Sequence, residues 1–341
     1  MRVVISVFIV CMFFAGVVLA DEARMPAIKA GAANLAELQR TNTNWEGTWF
    51  WYVGNTYNAT NLTGVTALGL LEAYKDTKNK AFLTASQNAA AFVMKHLGVG
   101  ATGTKHHVRW TAPDVVFVHQ LAKVTGNAAY ATRAVLEWNN IKTIYPTAAD
   151  LDARFRLTNR PSTWDIAFFM EAAYLSGDFS WANEAAAILA DTGDTFYFNP
   201  DSGWYALNVA ANIRALIGCG YVSTYQAEII WLINELIGLC GPEGIDGYIQ
   251  DTAYAILAFK SVGGPANGYA NRLGNWLALQ QNPGSGWFEG GLEYPEIDGE
   301  AVRALASTIG QNVTLKAKLG LKPASSWRKT LGDVGRPFNE D

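Results

Sequence analysis

The sequence predicts an all-α fold built from about six helical hairpins, and three observations support this prediction. Five segments share a polar first residue, an alanine-rich apolar body and a glycine twelve positions later. With a sixth, incomplete copy included, the segments begin 43 to 51 residues apart, which leaves room for two helices and two loops in each repeat. The rest of the sequence has no alternating pattern of strand type, so a substantial sheet is not expected.

The repeated segments are predicted to form inner helices. Asp and Asn are favoured at helix N-caps and Gly just after a helix C-terminus, so each interval is interpreted as a helix of about three turns. The bodies are apolar on nearly every face, which is typical of helices enclosed by other helices. The complete copies run from Asp114 to Gly126, Asp165 to Gly177, Asn208 to Gly220, Asp251 to Gly263 and Asp298 to Gly310, and the incomplete copy begins at Gly64.

A second set of segments has a clearer polar side and is predicted to form an outer ring. These segments lie at about 79–97, 127–142, 179–192, 221–239, 266–281 and 312–330. Because the two sets alternate along the chain, the predicted fold is an α/α toroid (barrel) with inner and outer helix rings. The inner helices would all run the same way, with their N-termini at one mouth.

The domain organisation follows from this pattern. Residues 1–20 carry one positive charge followed by an apolar run, and they are predicted to be a secretory signal peptide, with an uncleaved N-terminal anchor as the alternative. Residues 21–43 are expected to form an N-terminal helical extension, 44–332 the toroid domain and 333–341 a C-terminal tail. The expected location is secreted or extracellular, or periplasmic.

Composition narrows the possible partners. The net charge of -4 gives no basic surface, so nucleic acid is not an expected partner. No segment after the signal peptide is long and apolar enough to span a membrane. Cys219 and Cys240 remain after removal of Cys11, and they either pair or stay as two buried thiols. No recognisable ligand pattern is present, so neither a metal nor a cofactor is predicted.

The loops that precede the inner helices are rich in aromatic residues, and the acids that begin those helices are expected to meet them at the mouth. Aromatic faces stack on the C–H faces of sugars and carboxylates bind their hydroxyls, so the mouth is predicted to bind a glycan. Helix capping is the alternative role for each acid, and packing between hairpins is the alternative for each aromatic residue. The predicted substrate-binding residues are Trp49, Trp51, His106, His107, Trp110, Arg160, Trp164, Trp204, Tyr205, Tyr248, Asp251, Trp287, Tyr294, Asp298 and Glu300.

Asp114 and Asp165 are the predicted catalytic pair, since they begin neighbouring inner helices after loops that hold further polar residues, including Arg109. Paired carboxylates can supply the general acid and base of glycoside hydrolysis. The same surroundings suit a lyase, in which a base removes the proton next to a uronate carboxyl group and a cation stabilises the developing charge. The residues leave both reactions open.

Two segments resemble a known superfamily. NWLALQQNPGSGWFEGG at 275–291 resembles the helix-glutamine-glycine-tryptophan repeat of terpenoid cyclases and protein prenyltransferases, and QDTAYAILAF at 250–259 resembles an inner helix of the same toroids. The resemblance covers most of 44–330 and implies the toroid fold, which six-hairpin glycosidases, polysaccharide lyases and thioester domains share. The catalytic signatures of the cyclases and prenyltransferases are not matched: the stretch from Glu296 to Glu300 departs from the acid motif of the squalene-type cyclases, and no zinc or diphosphate-metal set is present.

Two functions of different classes follow from the sequence. The first is a secreted carbohydrate-active enzyme, either a glycoside hydrolase or a polysaccharide lyase, that takes a polysaccharide or oligosaccharide at the mouth. The second is a non-catalytic extracellular toroid that binds a glycan or a protein or has a structural role. An enzyme similar to terpenoid cyclases or prenyltransferases is a lesser alternative.

Overall fold

A computed structural model describes residues 24–41, 45–56, 61–95 and 111–309. The predicted signal peptide, the outer helix predicted at 312–330, the tail at 333–341 and the site residues His106, His107, Arg109 and Trp110 lie outside the described residues. Among the described residues, none of the helices combines the length and the hydrophobicity that crossing a bilayer requires.

Helices make up most of the four described ranges. They are α1 (24–38), α2 (Thr63–Thr77), α3 (Lys80–Lys95), α4 (Ala112–Thr125), α5 (Ala128–Lys142), α6 (Ala148–Leu157), α7 (Thr163–Leu175), α8 (Phe179–Ala190), α9 (Tyr205–Gly218), α10 (Gln226–Leu239), α11 (Ile249–Val262), α12 (Asn267–Leu279) and α13 (Pro295–Ser307). Two short antiparallel hairpins join β1 (Cys240–Gly241) to β2 (Gly244–Ile245) and β3 (Phe288–Glu289) to β4 (Leu292–Glu293).

Six of these helices form a closed inner ring. Each contacts the next in the order α2, α4, α7, α9, α11 and α13, and α13 packs back against α2. The ring helices are enclosed, as their apolar bodies predict: α9 is buried continuously from Tyr205 to Leu216. The helices α3, α5, α8, α10 and α12 each pack against one or more ring helices and form the outer layer. The predicted α/α toroid is therefore confirmed.

The leading ends of the ring helices lie at one mouth. Gly64, at the start of α2, approaches the backbone at the start of α4 so closely that a Cβ would overlap it. The Trp164 amide near the start of α7 donates to Asn208 near the start of α9 (3.2 Å). Gln250 near the start of α11 donates to Glu300 in the second turn of α13 (2.9 Å). These contacts between corresponding ends show that the inner helices run parallel, as predicted.

The acids that mark the repeats lie inside the first turn of their helices and not at the N-caps, which corrects the sequence prediction. Asp114, Asp165 and Asp251 are the third residues of α4, α7 and α11, whereas Thr111 and Ser162 occupy the N-caps of α4 and α7. A carboxylate at the third position still faces the positive end of the helix dipole and can close a capping box. The acid-to-glycine spacing therefore located the helices correctly even though each began two or three residues earlier.

The predicted N-terminal extension takes part in the outer ring, because α1 packs across the seam between the first and last hairpins. The Leu35 carbonyl at its C-terminal end accepts from the Trp49 indole N–H (2.8 Å). Gln39, just after α1, donates to a backbone carbonyl of α3 (2.9 Å). At the other end, Arg24 donates to Asn271 of α12 (3.0 Å). The helix therefore occupies the sixth outer position, between α12 and α3.

The helix α6 had no counterpart in the sequence prediction, which treated the segment as a loop. Thr147 caps it through its hydroxyl, which accepts from the Asp150 amide (3.1 Å), while the Asp150 carboxylate accepts from the Thr147 amide (3.0 Å). This capping box explains why so short a segment is helical. Because α6 packs against α7 and α8, it buttresses the third hairpin on the mouth side.

The two cysteines of the described chain are free thiols. Cys219 follows α9 and is buried, and burial raises the pKa of its thiol well above the ordinary range. Cys240 follows α10, and burial raises its pKa to about 11. Both thiols are protonated at neutral pH. The sequence left open whether the two cysteines pair, and in the structure they do not.

Replacement of Gly69 by Ala is expected to destabilise the ring, because the added Cβ would overlap the Gly299 carbonyl where α2 meets α13. Overpacking of this kind costs about 1–3 kcal/mol. Gly238→Ala in α10 is the matched control, since nothing lies within 4 Å of the added Cβ, and it should be neutral or stabilising. Urea unfolding measures both variants, and equal stabilities would contradict the close contact.

Candidate functional site

Two carboxyl groups face each other across the mouth of the ring. Asp165 lies in the first turn of α7 and Glu296 in the first turn of α13, and these two helices are opposite one another in the order of the ring. The charge of Asp165 acts on Glu296, and so does that of Arg160, which shows that the three side chains share one region. We call Asp165 and Glu296 the acid pair.

Arg160 holds the Asp165 carboxylate with two parallel hydrogen bonds. Its Nε donates to Oδ2 (3.0 Å) and its Nη2 to Oδ1 (3.1 Å). The guanidinium also lies 5.9 Å from the ring centroid of Trp204, so an aromatic residue covers the ion pair on one side. Burial raises the pKa of Asp165, and the Arg160 charge opposes that shift. A bidentate pair of this kind fixes the orientation of the carboxylate as well as its charge.

Glu296 has no such partner. Burial and, to a lesser extent, the Asp165 charge together raise its pKa to about 7, although the Arg160 charge opposes the shift. Among the residues that the structure describes, its carboxyl group takes part in no hydrogen bond or ion pair, although part of the side chain is accessible. Glu296 can therefore bind or release a proton near neutral pH, whereas the Asp165 carboxylate is hydrogen-bonded to Arg160. Environments that separate two carboxyl groups in this way are typical of acid and base pairs.

A cavity of about 230 Å³ borders the Asp165 side of the mouth. It lies between the leading ends of α4 and α7 and the C-terminal end of α5. Trp164 forms part of its wall, and the buried indole N–H of this residue has no hydrogen-bond partner among the described residues. Pockets for drug-sized ligands begin at roughly 300 Å³, so this cavity suits one small ring rather than a chain of sugars. Its lining consists of Asn61, Thr111, Ala112, Pro113, Ile141, Ile144, Tyr145, Arg160, Trp164, Asp165 and Phe169.

Polar side chains continue from the acid pair into the lumen. Glu296, Glu300 and Arg303 are spaced at i, i+4 and i+7 on α13, so they share the face that α13 turns to the lumen. Burial, followed by the charge of Glu296, raises the pKa of Glu300 well above its ordinary value. Deeper on α7 and α9, Glu171 accepts from Arg214 in a buried ion pair (2.5 Å).

Asp114, the other predicted catalytic acid, turns back onto its own helix. Its Oδ2 accepts from the Thr111 amide (2.7 Å) and hydroxyl (2.9 Å), and the residue is buried. Burial raises its pKa to about 6. The geometry therefore gives Asp114 a capping role, and the acid pair consists of Asp165 with Glu296 instead. The predicted catalytic role of Asp165 stays a prediction, which the geometry supports.

Four of the predicted binding residues lie within the packed walls. Trp49 and Trp287 are fully buried, and each indole N–H donates to a backbone carbonyl (2.8 and 2.7 Å). Asp298 accepts from the Trp287 amide (2.6 Å), and the Tyr205 hydroxyl points outward and donates to Glu235 of α10 (2.8 Å). These contacts assign the four side chains to packing between hairpins, which the sequence analysis kept as the alternative.

Three other predicted binding residues, Trp51, Tyr248 and Tyr294, are partly or largely exposed and lie nearer the rim. Trp51 and Tyr294 meet edge to face at 6.2 Å, and Tyr248 is 54% exposed. Burial and the neighbouring acids Glu289 and Asp246 raise the pKa of Asp251 to about 7. His106, His107 and Trp110 lie outside the described residues, so their role stays a prediction. Within the four described ranges, no group of three or more His, Cys, Asp or Glu side chains is arranged to hold a metal ion.

Glu296 was not among the predicted site residues. In the sequence it stands out only as part of an acid motif that departs from that of the cyclases. The spacing of Glu296 and Glu300 was the available signal, because residues four apart in an inner helix share a face, and two acids there indicate a polar lumen.

Stability is expected to fall as the pH rises from about 4.5 to 7, in part because of Glu296. A carboxyl group whose folded-state pKa is raised stabilises the fold fully below its unfolded pKa and loses this contribution as the pH passes its folded pKa. For Glu296 the two values are 4.5 and about 7, which corresponds to about 3 kcal/mol. Glu296→Gln should flatten the pH dependence of the unfolding free energy, whereas Glu243→Gln, at an exposed position, should not. The same slope in wild type and Glu296→Gln would contradict the raised pKa.

Comparison with known proteins supports the fold. No protein-family model matches the sequence, and no curated protein sequence matches it. The structure is similar to that of an unsaturated glucuronyl hydrolase specific for heparin, with a TM-score of 0.59 and 12% identity, and the match covers 84% of this chain and 97% of that chain. It is also similar to a polysaccharide lyase, with a TM-score of 0.51 and 13% identity, over 84% of this chain and 52% of that chain. At such identities the similarity concerns the fold, and the chain accordingly has an α/α-toroid fold.

Proposed function

We propose that this protein is a carbohydrate-active enzyme, and specifically a glycoside hydrolase that uses the acid pair at the mouth of the ring. The acid pair is the observation that carries the proposal: two carboxyl groups on opposite sides of one opening, of which one is held by Arg160 and the other titrates near neutrality. Glycoside hydrolysis requires two carboxyl groups that flank the bond to be broken. The two similar structures are named for a glucuronyl hydrolase and a polysaccharide lyase, which is consistent with a glycan substrate.

The roles of the two acids follow from their surroundings. Glu296 is protonated in part at neutral pH and would donate its proton to the oxygen of the leaving sugar. Asp165, oriented by Arg160, would act on the opposite face of the sugar, either as a nucleophile at the anomeric carbon or as the base that activates a water molecule. Trp164 and Trp204 lie beside Asp165 and offer aromatic faces to the ring of the sugar.

A lyase is less well supported by the described residues. That reaction needs a cation to stabilise the charge that develops on the uronate carboxyl group. Among the described residues, Arg160 is the basic residue that lies at the acid pair, and its Nε–Nη2 edge faces Asp165. Its charge is therefore directed to a protein carboxylate rather than to a substrate.

The non-catalytic alternative also has an observation in its favour. Asp114 turns back to its own helix, and Trp164 packs edge to face against Tyr254 across the ring at 5.9 Å. A toroid whose acids all cap helices and whose aromatic residues fill the lumen would bind a ligand only at its rim. Asp165 and Glu296 do not follow this pattern, which is why we favour the enzyme.

Glu296→Gln and Asp165→Asn are each expected to lower kcat/KM by about 10²–10⁴-fold, the usual contribution of a positioned acid or base. The measurement is release of reducing ends from a panel of polysaccharides, with absorbance of unsaturated products recorded in parallel. Asp150→Asn is the matched control, because Asp150 is also the third residue of a helix but lies on α6, and it should keep full activity.

The outcome of this assay separates the functions. Activity that survives both acid-pair substitutions would remove the pair from the mechanism. Unsaturated products would indicate a lyase, and a complete lack of products across the panel would favour the non-catalytic alternative.

We also propose that the protein acts outside the cytoplasm, on the basis of the apolar segment at 1–20. Expression of the full chain in a secreting host should yield a soluble product that begins at or near Asp21. N-terminal sequencing measures this directly, and a product that retains residues 1–20 in the membrane fraction would favour the uncleaved anchor.

A further inference from the structure

The lumen below the acid pair contains an excess of hydrogen-bond donors. Arg214 is buried and bonds to Glu171 through Nη1, but its Nε and Nη2 have no partner among the described residues. The indole N–H of Trp164 is also without a partner there. The Tyr254 hydroxyl faces Glu300 without the geometry of a hydrogen bond. Within the described part of the chain, Glu300 Oε1, beside Tyr254, is an unpartnered acceptor of the same region. More than nine-tenths of buried polar groups in folded proteins are hydrogen-bonded, so the remaining donors of Arg214 and Trp164 call for a further acceptor.

These groups form one contiguous cluster. The Arg214 guanidinium lies 4.9 Å from the ring centroid of Phe168 and 5.9 Å from that of Tyr254. The Trp164 ring lies 5.0 Å from Phe168 and 5.9 Å from Tyr254. Since α7, α9 and α11 each contribute a member, the cluster surrounds the lumen rather than lining a single helix.

Arg303 adds a positive charge to this cluster. It lies on the lumen face of α13, and burial together with the charge of Arg214 lowers its pKa, which shows that the two guanidinium groups are close. In the described part of the chain, Arg303 makes no hydrogen bond or ion pair, and its side chain retains some accessible surface.

The acids that face Arg303 do not cancel its charge. Glu171 is paired with Arg214, and Glu72 is paired with Lys75 (2.6 Å). Burial raises the pKa of Glu300 well above its ordinary value, and the Gln250 amide donates to its Oε2 (2.9 Å). Among the described residues, Arg303 therefore has no acid bonded to it, and it lies close to the free donors of Arg214, whereas buried charges in proteins are normally paired.

We propose that Arg303 and Arg214 form an anion-binding site in the lumen that takes the carboxylate or sulfate group of an acidic sugar. A planar guanidinium can donate two parallel hydrogen bonds to a carboxylate or a sulfate. The Trp164 and Tyr254 rings lie close enough to contact the sugar that carries this anionic group. The excess of donors excludes a purely donor-rich ligand such as an ammonium group.

The anion site lies below the acid pair, at a distance that suits an acidic sugar whose glycosidic bond points toward the mouth. Arg303 follows Glu296 by seven residues, about 10 Å along the axis of α13. Long side chains on a helix point back toward its N-terminus, so the guanidinium reaches up toward the mouth. An acidic sugar held by Arg303 would thus place its glycosidic bond nearer the acid pair. This last step rests on the proposed hydrolase function, whereas the anion site itself does not.

The test measures binding without turnover. Isothermal titration of wild type, Arg303→Met and Arg154→Met uses four probes: glucuronate, glucose 6-sulfate, glucose and sodium sulfate. Arg154 is an exposed arginine of α6 and controls for the loss of one positive charge. We expect glucuronate or glucose 6-sulfate to bind wild type and Arg154→Met equally, and Arg303→Met at least about tenfold more weakly.

The four probes distinguish binding of an acidic sugar from binding of a free anion or a neutral sugar. Tight binding of sodium sulfate alone would keep the anion site but assign it to a free oxyanion. Glucose binding as tightly as glucuronate, equal affinities of wild type and Arg303→Met, or failure of every probe to bind wild type would overturn the proposal. If circular dichroism shows that Arg303→Met does not fold, Arg303→Lys replaces it, and an affinity for the anions equal to that of wild type would overturn the proposal.

Because these affinities do not depend on catalysis, Glu296→Gln is expected to retain anion binding. Loss of activity in Glu296→Gln with intact binding would support both proposals, and binding without any activity would support the anion site alone.

Discussion

The contact between the backbones of α2 and α13 is the constraint on which the mouth and the lumen depend. A chain of hairpins becomes a ring only if its first and last inner helices meet, and here they do so at glycines. A Cβ at Gly299 would lie 2.6 Å from the Thr66 Cα, so the two helices pack at a distance that no larger residue allows. The helix α1 then covers this seam from outside. Closure brings α13 opposite α7, and without it Glu296 and Asp165 would not share an opening.

Closure also explains the unusual electrostatics of the interior. Each ring helix is apolar around most of its surface, so the few acids on its inner face lose water without gaining a full set of partners. The pKa values of Asp114, Asp251, Glu296 and Glu300 are all raised, and burial is the largest cause in every case. The positive ends of the ring helices act in the opposite direction on acids of the first turn but do not outweigh burial. The mouth and the lumen therefore hold carboxyl groups whose pKa values are shifted upward, toward neutral pH, by burial.

The fold was predictable from the sequence because its signal is repeated and local. Five of the six inner helices have an acid, or Asn208 in α9, in the first turn and a glycine near the end, and these five copies fix the period even when single boundaries are off by two or three residues. The site was less predictable because it depends on which helices face one another across the ring. Asp114 and Asp165 look equivalent in sequence, yet the Thr111 hydroxyl engages the first and Arg160 the second. Trp49 and Trp287 could not be told from rim aromatics because burial of a loop residue depends on neighbours distant in sequence.

The inner face of α13 carries three ionisable side chains whose charge properties differ with depth, and the sequence pattern did not predict this difference. Glu296 at the mouth has a pKa of about 7, burial raises the pKa of Glu300 one turn deeper well above its ordinary value, and Arg303 below it carries a guanidinium. The order follows from burial and from neighbours: carboxyl groups lose their charge in an enclosed space, whereas a guanidinium keeps its charge under all physiological conditions. Along the lumen, a carboxyl group that titrates near neutral pH at the opening is thus followed by a positively charged group at greater depth. A ligand that enters with an anionic group first and a neutral bond behind it matches this order, and the reverse orientation would place an anion against the Asp165 carboxylate.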